Sequence, residues 1–296
     1  MPKFAKANPD VKFQYINGHF CYAQKAVVVA NGLGIVRHME LLDDDFKERH
    51  PEAKTTKLHN GLELDKEVGD SVALKPVMRD FRVRHPYFRY STFSADAAFD
   101  SYDNYTFLLK EQGFSKAVIP INPRNTSGSS DMNFSEDGAP LCPKDKTPFL
   151  FHSISGGKNR SVRFKFICPR SKRIRLVSGG TTWRNECENP CNSSSCNTSK
   201  YPRCVYVYPD KNLRLYPGLL RGSNEFAKIY NRRASVERSI GQFKHTLGIA
   251  GKKTSNTLTT KADLFLVGIV QLLCVVLANK LHNIKLAKSP RRLIAA

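Results

Sequence analysis

The stretch that decides the fold is Tyr230-Asn-Arg-Arg-Ala-Ser-Val-Glu-Arg-Ser-Ile-Gly-Gln-Phe-Lys244. Arg233 and Glu237 are four residues apart, and Glu237 and Lys244 are seven apart. Steps of four and seven return to the same side of an α-helix, which predicts one carboxylate among cations on a single helix face. Such a face suits a site that holds a metal ion and a nucleic-acid phosphate together. A solvated helix with an i,i+4 ion pair has the same spacing, and charge pattern alone favours that alternative.

Length and composition fit one large α/β domain, or one such domain that carries an insert. The chain has 296 residues, of which 41% are hydrophobic. A chain of this kind can bury a sizeable core and does not have a disordered composition.

Positive charge is concentrated in the second half of the chain. Residues 1–141 hold 18 Lys and Arg against 19 Asp and Glu, residues 142–220 hold 15 against four, and residues 221–296 hold 14 against three. This distribution favours a polyanionic partner. The alternatives are a surface that only aids solubility or one that binds anionic lipid, and no lipid-type amphipathic segment supports the lipid alternative.

The expected compartment is the cytoplasm. The chain opens without an apolar signal region, and its longest apolar run, Leu264–Ala278, is shorter than a bilayer span and contains Gln271. That run is predicted to be a buried core helix. Eight cysteines without a signal sequence indicate thiols that pack or bind metal rather than pair.

The first 122 residues alternate strand and helix signals. Strands are predicted at His19–Ala30 and Ile35–Leu42, joined by a hairpin turn at Asn31-Gly32, and the charged stretch 43–69 contains only breaker signals. Asp70-Ser71 is predicted to cap a helix that ends near Arg84. Three elements follow: a strand at Thr92–Ala95, a helix at Ser101–Gln112 that stops at Gly113, and a strand at Lys116–Ile121.

Residues 123–223 differ from the rest because they are rich in Ser, Asn, Gly, Pro and Cys. They predict an inserted β-rich module with strands at Val162–Cys168, Arg173–Val177 and Val205–Tyr208. Helices are predicted at Glu225–Leu247 and Thr260–His282, and the basic tail from Lys285 is expected to fray.

The signature from Tyr230 to Lys244, with gaps of two, three and six residues, resembles the one around the last acid of DDE transposases encoded by bacterial insertion sequences. Five further blocks resemble one subgroup of that family, in the same order and over nearly the whole chain. They are Tyr15-Ile-Asn-Gly-His-Phe-Cys-Tyr22, Asn31-Gly-Leu-Gly-Ile-Val-Arg37, Ala95-Asp-Ala-Ala-Phe-Asp-Ser101, Ile119-Pro-Ile-Asn-Pro-Arg124 and Thr260-Lys-Ala-Asp-Leu-Phe265.

The resemblance implies a ribonuclease-H-like α/β core that lacks its first strand and carries the β-rich module; periodicity alone predicts only α/β. The expected segments are 1–122 for the first part of the core, 123–223 for the Cys-containing insert, 224–284 for the helices that complete the core, and 285–296 for the tail.

The family cuts and joins DNA with two metal ions held by three carboxylates, so the resemblance implies Mg²⁺ or Mn²⁺ as cofactor. Glu237 matches the third acid. Asp96 matches the second, at the carboxyl end of a predicted strand. Asp100 and Asp103 lie close to Asp96 in the sequence and are alternatives for the second acid. Asp100 is interpreted as a helix cap because Ser101 opens a helix. We expect Asp96 and Glu237 to converge at one end of the sheet.

The resemblance also implies DNA contacts for the other signature residues. Arg233 and Lys244 are expected to hold phosphates, and Tyr230 is expected to contact the transposon end. Trp183 is a candidate for stacking on a flipped base, with a core anchor of the insert as the alternative. Lys158 and Arg160 are expected to lie in a turn that touches DNA.

The first acid of the family lies well upstream of the Ile-Asn-Gly-His-Phe block, which begins here at Ile16. We therefore expect an N-terminally truncated chain without this acid and without the usual DNA-binding domain. Asp10 lies in a Pro-Asp loop, and the run Asp43–Asp45 is interpreted as a solvated turn. The chain is then expected to bind duplex DNA without nicking it, and the sheet is expected to lack its central strand.

The cysteines of the insert form a second candidate metal site. Four thiolates can close a tetrahedral zinc site, which small β modules use as a staple. Free buried thiols are the alternative. The candidate zinc ligands are Cys142, Cys168, Cys187 and Cys191.

Three functions are consistent with these patterns. The first is a transposase catalytic fragment that acts in DNA transposition and recombination, with the duplex DNA of transposon ends as partner and a homodimer in the full-length protein. The second is a non-catalytic DNA-binding remnant of a decayed insertion sequence. The third is a zinc-stapled structural or RNA-binding protein, against which the ordered blocks argue. No membrane partner is expected, and the expected location is cytoplasmic and nucleoid-associated.

Overall fold

The computed structural model of the protein describes residues 8, 11–16, 19–59, 62–66, 68–122, 124, 134–135, 137–143, 145–157, 160–185, 203–251, 254, 256–288, 290 and 293. In these residues the protein is a mixed α/β structure with several small sheets. The chain folds as two units, residues 1–89 together with 231–296, and residues 90–230. This division cuts the predicted segment 1–122, and the predicted boundaries remain predictions.

Strands of the described chain pair mostly in antiparallel hairpins, except that β7 and β8 are parallel and β10 is the centre of a three-stranded sheet between β9 and β13. They are β1 Lys12–Ile16, β2 His19–Ala23, β3 Ala26–Ala30, β4 Val36–Leu41, β5 Thr55–His59, β6 Leu62–Lys66, β7 Thr92–Ser94, β8 Lys116–Val118, β9 Leu150–Gly157, β10 Arg160–Ile167, β11 Ser171–Arg175, β12 Thr181–Asn185 and β13 Cys204–Val207.

The α-helices range from one short turn to a helix of 24 residues. They are α1 Asp44–Arg49, α2 Asp70–Arg84, α3 Tyr102–Thr106, α4 Asn224–Asn231, α5 Ala234–Gly241 and α6 Thr257–Lys280. Two of them continue as π-helical turns, α3 into Phe107–Glu111 and α5 into Gln242–Thr246.

The predicted hairpin at Asn31 is confirmed. The Asn31 carboxamide oxygen accepts hydrogen bonds from the backbone N–H groups of Leu33 and Ile35, each at 3.0 Å. Gly34 has a positive φ of 79°, which glycine adopts without steric cost. The predicted strand His19–Ala30 is divided, since β2 pairs with β1 and β3 pairs with β4.

The charged stretch 43–69 is more regular than its breakers indicate. Asp43 caps α1 by accepting a hydrogen bond from the Phe46 backbone N–H at 2.9 Å. Asp45 binds the Lys261 ammonium at 2.7 Å. The acidic run is therefore the start of a helix, and the prediction of a solvated turn was wrong. β5 and β6 form a hairpin that the sequence pattern did not predict.

Helix α2 agrees with its prediction, with Gly69 rather than Asp70-Ser71 at the cap position. Its apolar side belongs to a core that combines Val77 and Ala73 with Phe46 of α1 and packs against Val27 and Val29 of β3. The opposite face of the β3–β4 hairpin packs on α6.

Helix α6 was predicted to be a buried core helix, and that prediction was wrong. One side does pack on β4, where Leu264 and Val267 join a core with Val36, Met39 and Phe243. Only a third of the helix's most apolar window is buried. In the described chain, α6 alone is long and apolar enough to cross a membrane, a property that core helices share and that is weak evidence by itself.

The second unit joins the β7–β8 pair to the insert. A core beneath the β13–β10–β9 sheet contains Phe164, Phe166, Val205 and Tyr216. All three strands predicted for the insert are present, and β9 and β12 are additional.

Candidate functional site

Asp96 follows β7 and begins a turn of 3₁₀ helix at Ala97–Phe99. Its Oδ1 accepts a hydrogen bond from the Ala98 backbone N–H at 3.0 Å. The side chain is half-buried, and in the described chain its second carboxylate oxygen has no hydrogen-bond partner. β7 pairs in parallel with β8, so Asp96 stands at the carboxyl end of a strand in a parallel pair. One oxygen is therefore left for a ligand.

Asp100 ends the same turn and has a different role from the one predicted. Ser101, not Asp100, caps α3 by accepting from the Asn104 backbone N–H at 3.2 Å. The Asp100 carboxylate is fully buried and receives the Arg214 guanidinium at 2.7 and 3.2 Å. It also accepts from the Tyr105 hydroxyl at 2.9 Å and from the Asn122 backbone N–H at 2.7 Å. The prediction of a helix cap was wrong, because the partly buried Arg214 guanidinium binds this carboxylate.

Arg221 extends this buried network. Its guanidinium donates to the Tyr105 hydroxyl at 2.7 Å and to the backbone carbonyls of Ile119 and Arg214. Burial, reinforced by the Asp100 carboxylate, raises the pKa of Tyr105 well above its usual range, so the hydroxyl stays protonated and donates. The turn that carries Asp96 is therefore fixed by buried and partly buried charge-assisted hydrogen bonds.

Tyr230 stands on α4, which rests on the same network. The Arg221 guanidinium carbon lies 5.6 Å from the centre of the Phe226 ring, and Phe226 stacks with Tyr230 at 6.4 Å between ring centres. Lys116 of β8 forms an ion pair with Glu225 at the start of α4. Asp96 and Tyr230 thus share one buried support.

Glu237 projects from the outer side of α5. Its carboxylate pairs with Arg233 at 2.8 Å and its side chain is 56% exposed. The inner side carries the buried small residues Ser235 and Ser239. Ser239 donates its hydroxyl hydrogen bond to the Gly34 carbonyl, so α5 docks on the β3–β4 turn.

Gly34 leaves no room for a side chain at this docking point. An added Cβ would overlap the Ser235 carbonyl oxygen and lie 2.7 Å from Ser239 Oγ. The Gly34 carbonyl also accepts from Gln271 Nε2 at 3.2 Å, while Gln271 Oε1 accepts from the Val36 N–H at 2.8 Å. Sequence analysis did not assign a role to these residues, although the small residues spaced four apart on α5 were a usable signal.

The predicted single helix Glu225–Leu247 was wrong. Backbone bonds from Ser235 to Arg232 and from Val236 to Arg233 form tight turns between α4 and α5. Lys244 is exposed in the π-helical turn, which the Leu247 N–H closes onto the Gln242 carbonyl at 3.0 Å. Only Arg233 and Glu237 keep the regular helical spacing that the sequence indicated.

The predicted site residues divide between the two units. Asp96 and Tyr230 belong to residues 90–230, and Arg233, Glu237 and Lys244 belong to the other unit. Asp96 and Glu237 therefore lie in different units, and their convergence remains a prediction.

A buried polar cluster on β4 was not predicted. His38 Nε2 lies 3.6 Å from Glu40 Oε2, and neither atom has a hydrogen-bond partner among the residues that the structure describes. Burial, together with the nearby Arg84 charge, lowers the pKa of His38 to about 4. Glu40 is held by Arg49, which also binds Asp80 at 3.0 Å. His38 is therefore neutral at pH 7.

The candidate zinc ligands are described only in part. Cys142 and Cys168 contribute to the same apolar core of the insert. Cys187 and Cys191 lie outside the described residues. Among the residues that are described, no group of three or more His, Cys, Asp or Glu side chains is arranged to hold a metal ion.

Trp183 is half-buried and packs edge-on against His152 of β9, with 5.9 Å between ring centres. This contact supports its role as an anchor of the insert. Arg160 is exposed at the start of β10, and Lys158 lies outside the described residues.

Comparison with known proteins gives no family: no family model, no curated protein and no solved structure matches the chain.

Proposed function

We propose that this chain is a DNA-binding protein of the DDE transposase class, in which Asp96 and Glu237 hold a divalent metal ion. The observation that carries the proposal is the position of Asp96. It follows a parallel strand, its turn is fixed by the buried Asp100, and one of its carboxylate oxygens is free. Ligands of open α/β sheets gather at such carboxyl ends.

The residues present fit a hard divalent cation. Mg²⁺ and Mn²⁺ prefer carboxylate oxygens, and Asp96 and Glu237 both present oxygens to solvent. When bound, such an ion would stabilise charge that develops on a phosphodiester. Arg233 would orient the Glu237 carboxylate, Lys244 would attract phosphate, and Tyr230 would contact the end of the strand.

The small sheets are compatible with the proposed ribonuclease-H-like core. The β3–β4 hairpin and the parallel β7–β8 pair are both two-stranded in the described chain. A core of this kind, without its first strand, would contain these two pieces.

Charge supports duplex DNA as the partner. The stretch from Arg160 to Asn185 holds eight Lys and Arg and no acid. Affinity for DNA should fall steeply as salt rises, because bound phosphates release counterions. Zinc bound by the four candidate cysteines, a homodimer and a cytoplasmic, nucleoid-associated location are further parts of the proposal.

A titration of labelled duplex DNA tests the proposal, with Mn²⁺ or EDTA present. We expect Mn²⁺ to tighten binding at least several-fold, and we expect Asp96→Asn and Glu237→Gln each to abolish that gain. Asp103→Asn, an exposed acid on the neighbouring helix, is the matched control. Equal binding in Mn²⁺ and EDTA by the parent chain and both variants would instead support the second candidate, a non-catalytic DNA-binding remnant.

The second candidate rests on the charge of the insert, which has eight Lys and Arg and no acid from Arg160 to Asn185. The basic insert would then bind DNA without metal chemistry. Preference for single-stranded RNA over duplex DNA in the same titration would contradict both candidates.

A further inference from the structure

A two-stranded ribbon extends from the insert. It consists of β11, the turn Leu176–Gly180 and β12, and we call these residues the ribbon. β11 and β12 pair only with each other among the described strands, over five residue pairs. The turn is closed by hydrogen bonds from the Leu176 N–H to the Gly180 carbonyl at 3.0 Å and from the Gly179 N–H to the Leu176 carbonyl at 3.1 Å. Trp183, at the middle of the ladder, contacts His152 of β9.

The ribbon is cationic along its whole length. It holds four Lys and Arg and no acid. Lys172 and Arg184 occupy directly opposed positions of the ladder. Arg173 and Arg175 are exposed on the other face, where Arg173 donates to the Thr181 hydroxyl at 3.0 Å. These exposed cations suit a polyanionic partner.

The tip is apolar and uncovered. Val177 is fully exposed, and Leu176 beside it is also exposed. Gly179 and Gly180 both have positive φ, so the turn is tight and presents Val177 at its end. Proteins that bend DNA use apolar side chains of this kind as wedges between base pairs, with cations on the flanking phosphates.

The dimensions favour duplex DNA over a lipid surface. Five residue pairs span roughly 17 Å, and duplex DNA presents about ten phosphate charges over that length. A bilayer would meet the tip alone and leave the cations at the base of the ribbon unused. The A-form RNA duplex has a wide, shallow minor groove, in which a narrow ribbon could not contact the phosphates on both sides.

We propose that the ribbon is a DNA-bending arm, whose cations follow phosphates along the minor groove while Val177 enters a base step. This inference rests on the proposed function, because it needs DNA as the partner. It adds which part of the chain deforms the DNA and how.

The experiment measures the bending and the binding of DNA by the full chain in EDTA. The DNA is a duplex of about 30 base pairs with a fluorophore at each end. This duplex is much shorter than the DNA persistence length of about 150 base pairs, so it is nearly straight when free. We expect energy transfer to rise when the parent chain binds. Val177→Ser should bind within about tenfold of the parent but lose most of the rise. Val83→Ser, which changes another highly exposed valine, on α2, is the matched control and should bend DNA as the parent does.

A second variant tests the cations. The triple change Lys172→Gln, Arg173→Gln and Arg175→Gln should reduce the slope of log affinity against log salt by about three, one for each lost phosphate contact. Circular dichroism checks that each variant is folded.

The outcomes separate this inference from the proposed function. If the parent chain binds DNA but Val177→Ser bends it equally, or the triple variant keeps the salt slope, the arm is overturned and the proposed function stands. If the parent chain binds phosphatidylserine vesicles and not the duplex, both are overturned.

Discussion

Asp96 and Glu237, the two candidate metal ligands, have opposite kinds of support. Asp96 stands on a turn fixed by the buried Asp100, Arg214 and Arg221 network, in which every charged group is hydrogen-bonded. Glu237 stands on an exposed helix face and is held by one ion pair with Arg233. The first position is fixed by the fold, whereas the second is adjustable. A metal ion would have to complete the geometry at Glu237.

The largest expected effect is at Asp100. Asp100→Ala removes the fully buried carboxylate that binds the partly buried Arg214 and the Tyr105 hydroxyl, so we expect the free energy of unfolding to fall by about 3–5 kcal/mol. Asp103→Ala, on the exposed start of α3, should change it by less than about 1 kcal/mol. Chemical denaturation measures both. Similar small losses in the two variants would show that the network does not support the Asp96 turn.

The next effect is at the docking point of α5. Gly34→Ala forces a positive φ on alanine and overlaps the Ser235 carbonyl, so we expect a loss of about 2–4 kcal/mol. Gly32→Ala is the control, because nothing lies within 4 Å of an added Cβ there. If the two variants are equally stable, α5 is not held by the β3–β4 turn.

A pH effect should come from His38. Its pKa is lowered from 6.5 to about 4 by burial. Between these values the unfolded chain binds one more proton than the folded chain, so stability falls as the pH falls, by up to about 1.4 kcal/mol per pH unit. His38→Gln should flatten the dependence of unfolding free energy on pH between 4 and 6.5. An unchanged slope would mean that His38 is protonated in the folded protein.

Glu237 should have the smallest effect on stability. Glu237→Gln removes a solvent-exposed ion pair, so the free energy of unfolding should change by less than about 1 kcal/mol. Its effect on Mn²⁺-dependent DNA binding should nevertheless be large. A loss of stability as large as that of Asp100→Ala would show that Glu237 has a structural role, and the two candidate ligands would then not differ in how the fold supports them.

The sequence predicted what local signals determine. The hairpin at Asn31, helix α2 up to Arg84 and the strand before Asp96 follow from local signals, namely turn residues, helix-ending residues and short apolar runs. The position of Asp96 at a strand end was also predictable from the pattern.

The missed features depend on contacts between distant residues. Asp100 pairs with Arg214, which is 114 residues away, and nothing local to Asp100 distinguishes a buried partner from a helix cap. The break between α4 and α5 likewise contains no proline or glycine, so no helix-breaking residue indicates it in the sequence. The exposure of α6 was missed because an apolar run indicates burial without showing what covers it.

The central claim is that Asp96 and Glu237 hold one metal ion. Iron(II) can replace Mg²⁺ in the complex of the full chain with duplex DNA, and ascorbate with peroxide then generates radicals that cut the backbone near the ion. We predict cuts near both Asp96 and Glu237, mapped by mass spectrometry, with both sets lost in Asp96→Asn and in Glu237→Gln. Cuts near only one of them, or variants that each remove only their own cuts, would contradict the shared site.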